Sequence, residues 1–552
     1  MHTKEDDRYV LYGGPDPTDL DQYGSLGEVI VEELKLRPSN IGLVLSSSSG
    51  YIDPVTLEEL RYSQILDRSA RLALGLSKLG ITRTDNVAIF SQNSLEYCIT
   101  MFGSIFIGAP LALLNPAYVE GELKHAIELA NPRLIFISPD VLEKLMQTLR
   151  TMNGPKPRVV LCGKHPTASQ YPELIPFSSL LDGGSIDLKN YRPAPVNKAG
   201  QVALIVLSSG TTGLPKGVEL THQSIIATIA HSKESAKMLE LPEQLVALAV
   251  TPLFHVVAGV GLLNMVTNNC RCVVMPRFDP HLFLSCIEKY RVNLMTLVPP
   301  LMVFLAKHPM VDNYDLSSLM TLFCGAAPLS KEIEDQVRER LGVAFIRQGY
   351  GMSETTLGVL MQDGYENKAG SVGKVRMGQW VKVIDPETGR ALGPNQRGEL
   401  CFKGSLIMKG YVGKEQAIDA DGWLHTGDIA YYDDDQEFFI VDRIKELIKY
   451  KGFQVPPAEL EAILLEHPKI SDAAVIGVPD ERAGELPLAF VVKEHGEQLT
   501  EQEVKDFVAG KVSEQKRLYG GVRFVSEIPK TASGKILRRE LRDLVKNTKS
   551  KL

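Results

Sequence analysis

Short apolar runs alternate with helical patterns over the first 430 or so residues of the chain. Runs of three to six apolar residues, many of them β-branched, occur at 87–90, 134–137, 159–162, 202–207, 273–275 and 295–298. Such runs are typical of strands that are buried on both faces of a sheet. Residues 62–79 instead have a helical pattern that ends at Gly80, a residue suited to a helix C-terminus. This alternation predicts an α/β fold with parallel sheets.

The pattern changes to a shorter α/β module near residue 445. Pro457 is suited to the first turn of a helix, and strands are expected at 473–478 and 488–493. Thr500 and Glu503 have the spacing of a capping box at the start of another helix. Two helices should each bury one apolar side, formed by Leu460, Ile463 and Leu464 in the first case and by Leu537, Leu541, Leu544 and Val545 in the second.

The change of pattern near residue 445 predicts two domains. Residues 1–442 exceed the length of one ordinary domain, so we expect a large N-terminal domain of several packed α/β lobes. Residues 443–552 are enough for a small C-terminal α/β domain. Because no repeat or low-complexity linker separates them, we expect a short hinge at 442–445.

Composition excludes some classes of protein. The 552 residues are 44% hydrophobic, as expected of a folded chain, and 67 acidic against 60 basic residues give a net charge of -7. That charge disfavours recruitment of the whole protein to nucleic acid or to an anionic membrane. Seven scattered cysteines lack metal-ligand spacing, so we expect reduced, buried thiols.

The termini and one apolar segment bear on location. The first eight residues are polar, so we expect no secretory signal peptide. Residues 97–114 are uncharged, but Gly103, Gly108 and Pro110 favour a buried helix and turn over a membrane span. The chain ends in Ser550, Lys551 and Leu552, which match the address of the peroxisomal import receptor and predict a peroxisomal enzyme. A chance ending of a basic tail is the alternative.

A candidate phosphate-binding loop follows the strand at 202–207. Residues 208–217 have the sequence SSGTTGLPKG, in which small residues let backbone N–H groups approach phosphate oxygens and Lys216 adds a positive charge. The run departs from the Walker pattern, because Lys216 follows Pro215 and precedes Gly217. A flexible glycine-rich turn is the alternative, but the density of donors favours phosphate binding.

Five motifs in order carry a family resemblance. After 208–217 come QGYGMSETT at 348–356, GWLHTGD at 422–428, DRIKE at 442–446 and PKTASGK at 529–535. They resemble the adenylate-forming superfamily, which includes acyl-CoA synthetases, luciferases and 4-coumarate-CoA ligases. The run ELIKYKGFQV at 446–455 and the C-terminal SKL resemble beetle luciferase-like fatty acyl-CoA synthetases in particular. The resemblance extends from about residue 200 to the C-terminus and implies that the small domain is mobile.

The resemblance implies a site for ATP and Mg²⁺. It makes Lys535 the catalytic cation at the α-phosphate, Glu354 the magnesium ligand, and Asp428 with Arg443 the contacts to ribose. From the residues alone, Lys535 could be an exposed lysine, and Asp428 with Arg443 an ordinary salt bridge. The other implied nucleotide contacts come from three segments: Ser208, Ser209, Gly210, Thr211, Thr212 and Lys216; Gly325, Ala326 and Ala327; Gln348, Gly349, Tyr350, Gly351 and Ser353.

The resemblance also implies a second half-reaction, in which the thiol of coenzyme A displaces AMP after the small domain rotates. Lys445 matches the hinge, and Lys449 matches a catalytic position on the face presented by the rotation. Lys451, Gly452 and Gln454 match positions that contact coenzyme A.

The resemblance places the acid in an apolar pocket. His255 matches a catalytic gate residue, although a lone histidine in an apolar run could be a core residue. Val256, Val257 and Leu357 match the far wall, where luciferases have glycine, phenylalanine and serine. We expect this wall to offer no hydrogen bonds and to favour alkyl chains, which gain about 0.8 kcal/mol for each buried methylene.

The sequence therefore predicts an ATP-dependent acyl-CoA ligase for medium- or long-chain fatty acids, which releases pyrophosphate and AMP. A luciferase-type monooxygenase and a 4-coumarate-type CoA ligase stay open, because they share every adenylation motif. A catalytically dead relative is disfavoured, since Lys535, Asp428 and Glu354 are all present.

Overall fold

The computed structural model describes residues 6–17, 22–46, 58–182, 184–208, 215–238, 244–327, 329–362, 367–413, 418–451, 453–480, 482–494, 496–531 and 534–549. The α-helices in these ranges are α1 (Leu26–Leu36), α2 (Tyr62–Lys78), α3 (Leu95–Ile107), α4 (Glu120–Ala130), α5 (Leu142–Thr151), α6 (Phe177–Leu181), α7 (His222–Met238), α8 (Val256–Thr267), α9 (Pro280–Tyr290), α10 (Pro299–Lys307), α11 (Lys331–Leu341), α12 (Pro457–Leu465), α13 (Glu501–Ala509) and α14 (Arg538–Lys549).

The strands share a short length, mostly two to seven residues. They are β1 (Leu11–Tyr12), β2 (Ile41–Leu45), β3 (Glu58–Arg61), β4 (Val87–Phe90), β5 (Leu111–Leu114), β6 (Leu134–Ile137), β7 (Arg158–Leu161), β8 (Ile175–Pro176), β9 (Val202–Ser208), β10 (Lys216–Thr221), β11 (Val246–Ala249), β12 (Arg271–Val274), β13 (Leu294–Leu297), β14 (Thr321–Cys324), β15 (Phe345–Gly351), β16 (Gly358–Met361), β17 (Lys374–Val375), β18 (Gln379–Ile384), β19 (Gly398–Gly404), β20 (Gly410–Tyr411), β21 (Leu424–Tyr432), β22 (Phe438–Arg443), β23 (Ile448–Tyr450), β24 (Phe453–Val455), β25 (Ile470–Asp480), β26 (Gly484–Lys493) and β27 (Gly521–Phe524).

Two large, mostly parallel sheets form the N-terminal part, as the alternating pattern predicts. One has the order β20-β10-β9-β5-β4-β6-β7-β8, and it is parallel from β9 to β8. The other has the order β17-β16-β15-β14-β13-β11-β12-β2-β3, and it is parallel from β15 to β2. The predicted strands at 87–90 and 134–137 have the expected bounds, whereas those at 159–162, 273–275 and 295–298 begin one or two residues earlier.

Helix α3 shows how local sequence sets an element. The hydroxyl of Ser94 accepts a hydrogen bond from the N–H of Tyr97 at the N-terminus, and Gly108 ends the helix with a φ of 74°. The helix is buried with α1, α2 and α8 in one core, and the chain then enters β5. This confirms a buried helix and turn at 97–114. No helix of the described ranges is long and apolar enough to cross a membrane.

A smaller antiparallel sheet, with the order β1-β18-β19-β21-β22, completes the N-terminal part. Its last strand pairs with β21 and ends at Arg443, and the next strand, β23, starts at Ile448 in a different sheet. The predicted hinge at 442–445 therefore straddles the end of this sheet.

The C-terminal module has a sheet of order β24-β23-β26-β25, with β27 parallel to β26. The capping box is confirmed, because Thr500 and Glu503 exchange hydrogen bonds through side chain and backbone. Leu460 and Leu464 are buried in its core, and Leu541 and Val545 pack on the sheet. The prediction for Leu544 is wrong: Leu544 is 49% exposed, because it lies at the edge of the buried stripe that Leu541 and Val545 form. All seven cysteines are unpaired and buried, as expected.

Candidate active site

Parallel strands and the small module together form a cleft. Strands β13, β14 and β15 end at the same edge of their sheet, which places the loops after them side by side. Gly534 of the small module reaches this edge: a Cβ added to it would lie 3.4 Å from Cδ of Pro300 and 3.7 Å from Cβ of Val298. The loop that carries Lys535 is therefore seated on the N-terminal part.

Lys535 lies in this cleft among charged residues. A tight turn holds it, since its carbonyl accepts a hydrogen bond from the N–H of Thr531 at 2.8 Å. Protein atoms surround the side chain on most sides, although it remains accessible to solvent from the open cleft. Burial and then the positive charge of Arg443 lower the pKa of Lys535, whereas Glu354 and Asp428 act in the opposite direction. The structure thus brings three predicted residues to the lysine.

Asp428 is held by two partners that the sequence singled out. It lies opposite Arg443 in the β21–β22 ladder, and Nε of Arg443 is 3.1 Å from its Oδ1. The hydroxyl of Tyr350 donates to Oδ2 at 2.6 Å. Oδ1 is buried and accepts no aligned hydrogen bond from the described residues. The carboxylate is therefore paired, as the salt-bridge alternative requires, and still has acceptor capacity for a hydroxyl group.

Glu354 connects the candidate metal position to the phosphate-binding strand pair. Its Oε1 accepts a hydrogen bond from the hydroxyl of Tyr411 at 2.8 Å, and the Tyr411 ring lies 4.7 Å from Nζ of Lys216. Burial and then the charge of Glu354 raise the pKa of Tyr411. Sequence reasoning missed Tyr411. The short run GYV at 410–412 could have suggested a strand, and in the structure this strand, β20, pairs with β10.

His255 occupies the residue before α8. Its ring packs on Phe254, with the ring centroids 4.3 Å apart. Burial and then the positive charge of Lys535 lower the pKa of His255 to about 4, so the imidazole is neutral at neutral pH. Its buried Nε2 has no hydrogen-bond partner among the described residues. Nε2 of the buried histidines His222 and His231 also has no partner among the described residues, so this atom does not separate a gate from a core histidine.

An apolar cavity of about 440 Å³ runs from the cleft into the N-terminal part. The predicted wall residues Val256, Val257 and Leu357 line it. Further lining residues on α8 recur at Gly261 and Asn264 and at Asn268 just beyond the helix. From Val257 to Asn268 this face spans about 16 Å at 1.5 Å per residue. The cavity is large enough for a drug-sized acid.

The cavity has polar lining beyond the wall of Val256, Val257 and Leu357. Arg347, Arg376 and Asn264 also line it, so the cavity as a whole offers hydrogen bonds that this aliphatic wall does not. Oδ1 of Asn264 is buried without a partner among the described residues, while its amide donates to Oγ of Ser232 at 2.8 Å. Arg376 and Asn264 lie outside the five motifs, so only the fold brings them to the cavity, whereas Arg347 directly precedes the motif at 348–356.

Backbone geometry shapes the nucleotide end. Ala326 has a φ of 71°, which is costly for a residue other than glycine and is typical of functional loops. Gly325 and Ala326 line the cavity, and Ala327 is exposed beside them. A Cβ on Gly351 would lie 1.8 Å from the carbonyl oxygen of Leu357, so only glycine fits this turn.

The predicted contacts of the QGYG segment divide into two groups. Gly349, Tyr350 and Gly351 line the cavity. Gln348 instead anchors the strand, because its amide donates to Oε2 of Glu334 on α11 at 3.1 Å. Ser353 lies in a one-turn 3-10 helix directly before Glu354.

Several predicted residues lie away from this cleft or outside the described ranges. Lys449, Lys451 and Gln454 are exposed on the β23–β24 hairpin, Lys445 is exposed in the preceding turn, and none of them lines the cavity. Ser208 ends β9 opposite Lys216. The remaining predicted residues, Ser209, Gly210, Thr211, Thr212, Gly452, Ser550, Lys551 and Leu552, lie outside the described residues.

Comparisons with known proteins match nearly the whole chain. Residues 51–412 match the family described as AMP-binding enzyme, and residues 459–535 match AMP-binding enzyme C-terminal domain. A luciferin 4-monooxygenase of Photuris pensylvanica is 41% identical over 551 residues, which cover 99% of this chain and 100% of that protein. A 4-coumarate-CoA ligase of Vanilla planifolia is 42% identical over 508 residues and 90% of each chain.

Solved structures share the fold. An anthranilate CoA ligase in complex with anthranoyl-AMP superimposes with a TM-score of 0.85 at 22% identity, over 96% of this chain and 98% of that one. A red-emitting luciferase of Phrixothrix hirtus superimposes with a TM-score of 0.70 at 35% identity, over 97% and 98%.

Proposed function

The chain belongs to the AMP-binding enzyme family, the adenylate-forming enzymes, and on that premise we propose that it is an ATP-dependent acyl-CoA ligase for medium- or long-chain fatty acids. It would form an acyl-adenylate and pyrophosphate, and then an acyl-CoA thioester and AMP. Use of ATP and coenzyme A is typical of the family.

One observation carries this proposal: Lys535 of the small module lies in the cleft with its charge interacting with Glu354, Asp428 and His255 of the large part. A lysine that only capped the last helix would have no reason to face these groups. Residues from both domains converge where a carboxylate from the cavity would meet a nucleotide.

The first half-reaction brings two anions together. A carboxylate oxygen of the acid attacks the α-phosphorus of ATP, a P–O bond forms, and the bond to pyrophosphate breaks. Lys535 would offset the charge that develops on the α-phosphate oxygens. His255, the residue before the lining residue Val256, stays neutral, so it can donate one hydrogen bond without adding a positive charge beside Lys535.

Glu354 fits a magnesium ion. Its buried carboxylate has one oxygen fixed by Tyr411, and carboxylate oxygens are the ligands that Mg²⁺ prefers. The ion would supply neutralising charge to the phosphates. Lys216, packed on the Tyr411 ring, would stand on the same side of the nucleotide.

Asp428 and Tyr350 suit the nucleoside. The open acceptor capacity of Asp428 matches the two hydroxyl donors of a ribose. The aromatic ring of Tyr350 and the bare backbone of Gly325, Gly349 and Gly351 would form the walls for adenine.

The second half-reaction needs a different set of groups at the carbonyl. The thiolate of coenzyme A forms a C–S bond with the acyl carbon, the C–O bond to AMP breaks, and the thiol proton passes to solvent. In the conformation described here Lys535 occupies the cleft while Lys449 and Lys451 are exposed. A rotation after Arg443 would exchange the two faces.

The fatty-acid assignment rests on the aliphatic lining of the cavity. Val256, Val257 and Leu357 would pack on methylene groups, and Met265 and Leu294 extend the apolar surface. Luciferin oxidation is the second candidate, favoured by the 41% identity to a luciferin 4-monooxygenase. Activation of 4-coumarate is the third, favoured by the 42% identity to a 4-coumarate-CoA ligase.

We also propose a peroxisomal location, supported by Ser550, Lys551 and Leu552 at the C-terminus. A fluorescent protein fused to the N-terminus should enter peroxisomes. Loss of that localisation on removal of residues 550–552 would support the address, and unchanged localisation would contradict it.

The function is tested by pyrophosphate release over saturated fatty acids of increasing length, 4-coumarate and luciferin, each with and without coenzyme A. We expect turnover that rises with chain length and gives thioester only with coenzyme A. Best turnover with 4-coumarate, or strong light with luciferin, would contradict the fatty-acid proposal.

A further inference from the structure

The acyl cavity contains a cation that an alkyl chain does not need. Arg376 lies just after β17, where its N–H donates to the carbonyl of Val359 at 3.0 Å and its guanidinium donates to the carbonyl of Gly358 at 3.1 Å. These bonds fix the side chain against β16, and the guanidinium lines the cavity.

The groups around Arg376 are basic or neutral. Arg347 is close enough for its charge to lower the pKa of Arg376, after burial as the larger cause, to about 10. Burial, followed by the charge of Arg376, lowers the pKa of His231 to about 3. Among the described residues, no carboxylate forms an ion pair with Arg376. At neutral pH the cavity therefore contains a guanidinium that has only carbonyl partners.

Arg376 adjoins the predicted far wall of the cavity. Its guanidinium bonds the carbonyl of Gly358, the residue directly after Leu357, and Leu357 lines the cavity. His231 on α7 is near Arg376, and the adjacent Ser232 accepts a hydrogen bond from Asn264 on α8, which also lines the cavity. The resemblance places this wall at the end of the acid opposite the reacting carboxylate.

A plain alkyl chain pays a penalty at this point. Arg376 is half-buried, so water in the open cavity can reach its guanidinium, and a saturated chain would displace that water without replacing its hydrogen bonds. A carboxylate beside Arg376 would accept two hydrogen bonds and neutralise the charge. A cation without a protein counter-ion is therefore suited to bind an anion.

We propose that the preferred acid has a second carboxylate at its far end, so that the substrates are long dicarboxylic acids. This inference rests on the proposed acyl-CoA ligase function and specifies its substrate class. One carboxylate is adenylated near Lys535, the alkyl segment packs on Val257 and its aliphatic neighbours, and the other carboxylate pairs with Arg376.

The test compares saturated monocarboxylic and α,ω-dicarboxylic acids of equal length, from eight to sixteen carbons, by kcat/KM for pyrophosphate release. For the unmodified enzyme we expect one dicarboxylic length to exceed its monocarboxylic partner at least tenfold. Arg376→Met should reduce this ratio at least tenfold, and Arg376→Lys should retain part of it. Arg390→Met, which removes an exposed arginine outside the cavity lining, should leave the ratio unchanged.

The outcomes separate the two proposals. Efficient use of monocarboxylic acids with no preference for any dicarboxylic acid would overturn this inference and leave the ligase function intact. If neither series is activated, both proposals are overturned. The comparison on the unmodified enzyme decides the question even if Arg376→Met fails to fold.

Discussion

The hydroxyl of Tyr350 donates a 2.6 Å hydrogen bond to Asp428, the residue that lies opposite Arg443 in the neighbouring strand pair. Asp428 is thereby fixed from two sides, by a neutral donor and by a cation. Burial and then the charge of Asp428 raise the pKa of Tyr350 well above its usual range, so the donor keeps its proton at any working pH.

Tyr350→Phe should weaken ATP binding and leave the aromatic wall in place. A hydrogen bond to a charged group contributes about 1.5 to 3 kcal/mol, so we expect the KM for ATP to rise about tenfold or more, with a smaller change in kcat. ATP–pyrophosphate exchange measures both. Tyr432→Phe, which removes a hydroxyl bonded to the carbonyl of Leu392, is the matched control. Equal behaviour of the two variants would refute a nucleotide role for the Tyr350 hydroxyl.

Lys535→Ala should slow acyl-adenylate formation by about a thousandfold, because one preorganised donor at a developing charge contributes that much. The same variant should still form thioester from synthetic acyl-adenylate and coenzyme A, since Lys535 must leave before the thiol attacks. Single-turnover assays of each half-reaction measure the two rates. Lys505→Ala, on the surface of the small module, should change neither. Equal loss in both steps would rule out the rotation.

Lys445→Pro should spare adenylation and slow thioester formation. Proline fixes φ and restricts Ile444, so it should stiffen the turn between β22 and β23. Lys445→Ala removes the charge but not the flexibility, and it separates the two effects. If thioester formation proceeds at the parent rate in Lys445→Pro, the hinge lies elsewhere.

Leu357→Ser should shift the enzyme toward luciferin. Leu357 lines the cavity, and a serine there would add space and a hydroxyl for polar ring atoms. The backbone carbonyl of Leu357 accepts a hydrogen bond from the hydroxyl of Thr355, and the substitution leaves this carbonyl in place, so the turn should survive. Photon yield with luciferin, divided by turnover with a saturated fatty acid, should increase. Leu357→Val tests space alone, and an equal gain in Val and Ser variants would exclude the hydroxyl as the cause.

His222 should make the protein sensitive to acid. Burial lowers its pKa from 6.5 to about 4, and its Nδ1 accepts a hydrogen bond from the N–H of Leu26 at 3.2 Å. Below pH 6.5 the unfolded chain binds a proton at this histidine that the folded protein does not, so His222 alone should lower the free energy of unfolding by about 3 kcal/mol between pH 6.5 and pH 4. Above pH 6.5 this contribution is constant.

Urea unfolding across that pH range measures the effect. His222→Gln, which can still accept from Leu26, should show a shallower decline. His281→Gln, at an exposed position, should decline as the parent does. Identical slopes for all three proteins would exclude His222 as the source.

Sequence patterns predicted those parts of the site that depend on neighbours along the chain. Glu354 comes three residues after the end of β15, and Asp428 and Arg443 each belong to one of the five motifs. The family resemblance therefore implied that these three residues belong to one site. Arg376 could not be predicted this way. It follows a two-residue strand, and its place in the cavity depends on pairing between β16 and β17, which no short motif encodes.

The hydrophobic pattern likewise could not predict the polar residues of the cavity. Val256 and Val257 line the cavity and follow His255 directly in the sequence, so a local pattern could single them out. The polar end was missed because Asn264 lies in the otherwise apolar helix α8, and its unpartnered oxygen is visible only when α7 is packed beside it.

The pairing of Asp428 with Arg443 lies wholly in the sheet of the large part, up to the last residue before the turn at Lys445. The contacts of Asp428 to the nucleoside would therefore persist in both orientations of the small module. Pyrophosphate could depart early, whereas AMP would be retained until the thioester had left. Departure of AMP would then set the pace of each cycle, and free AMP should compete with ATP far more strongly than pyrophosphate does.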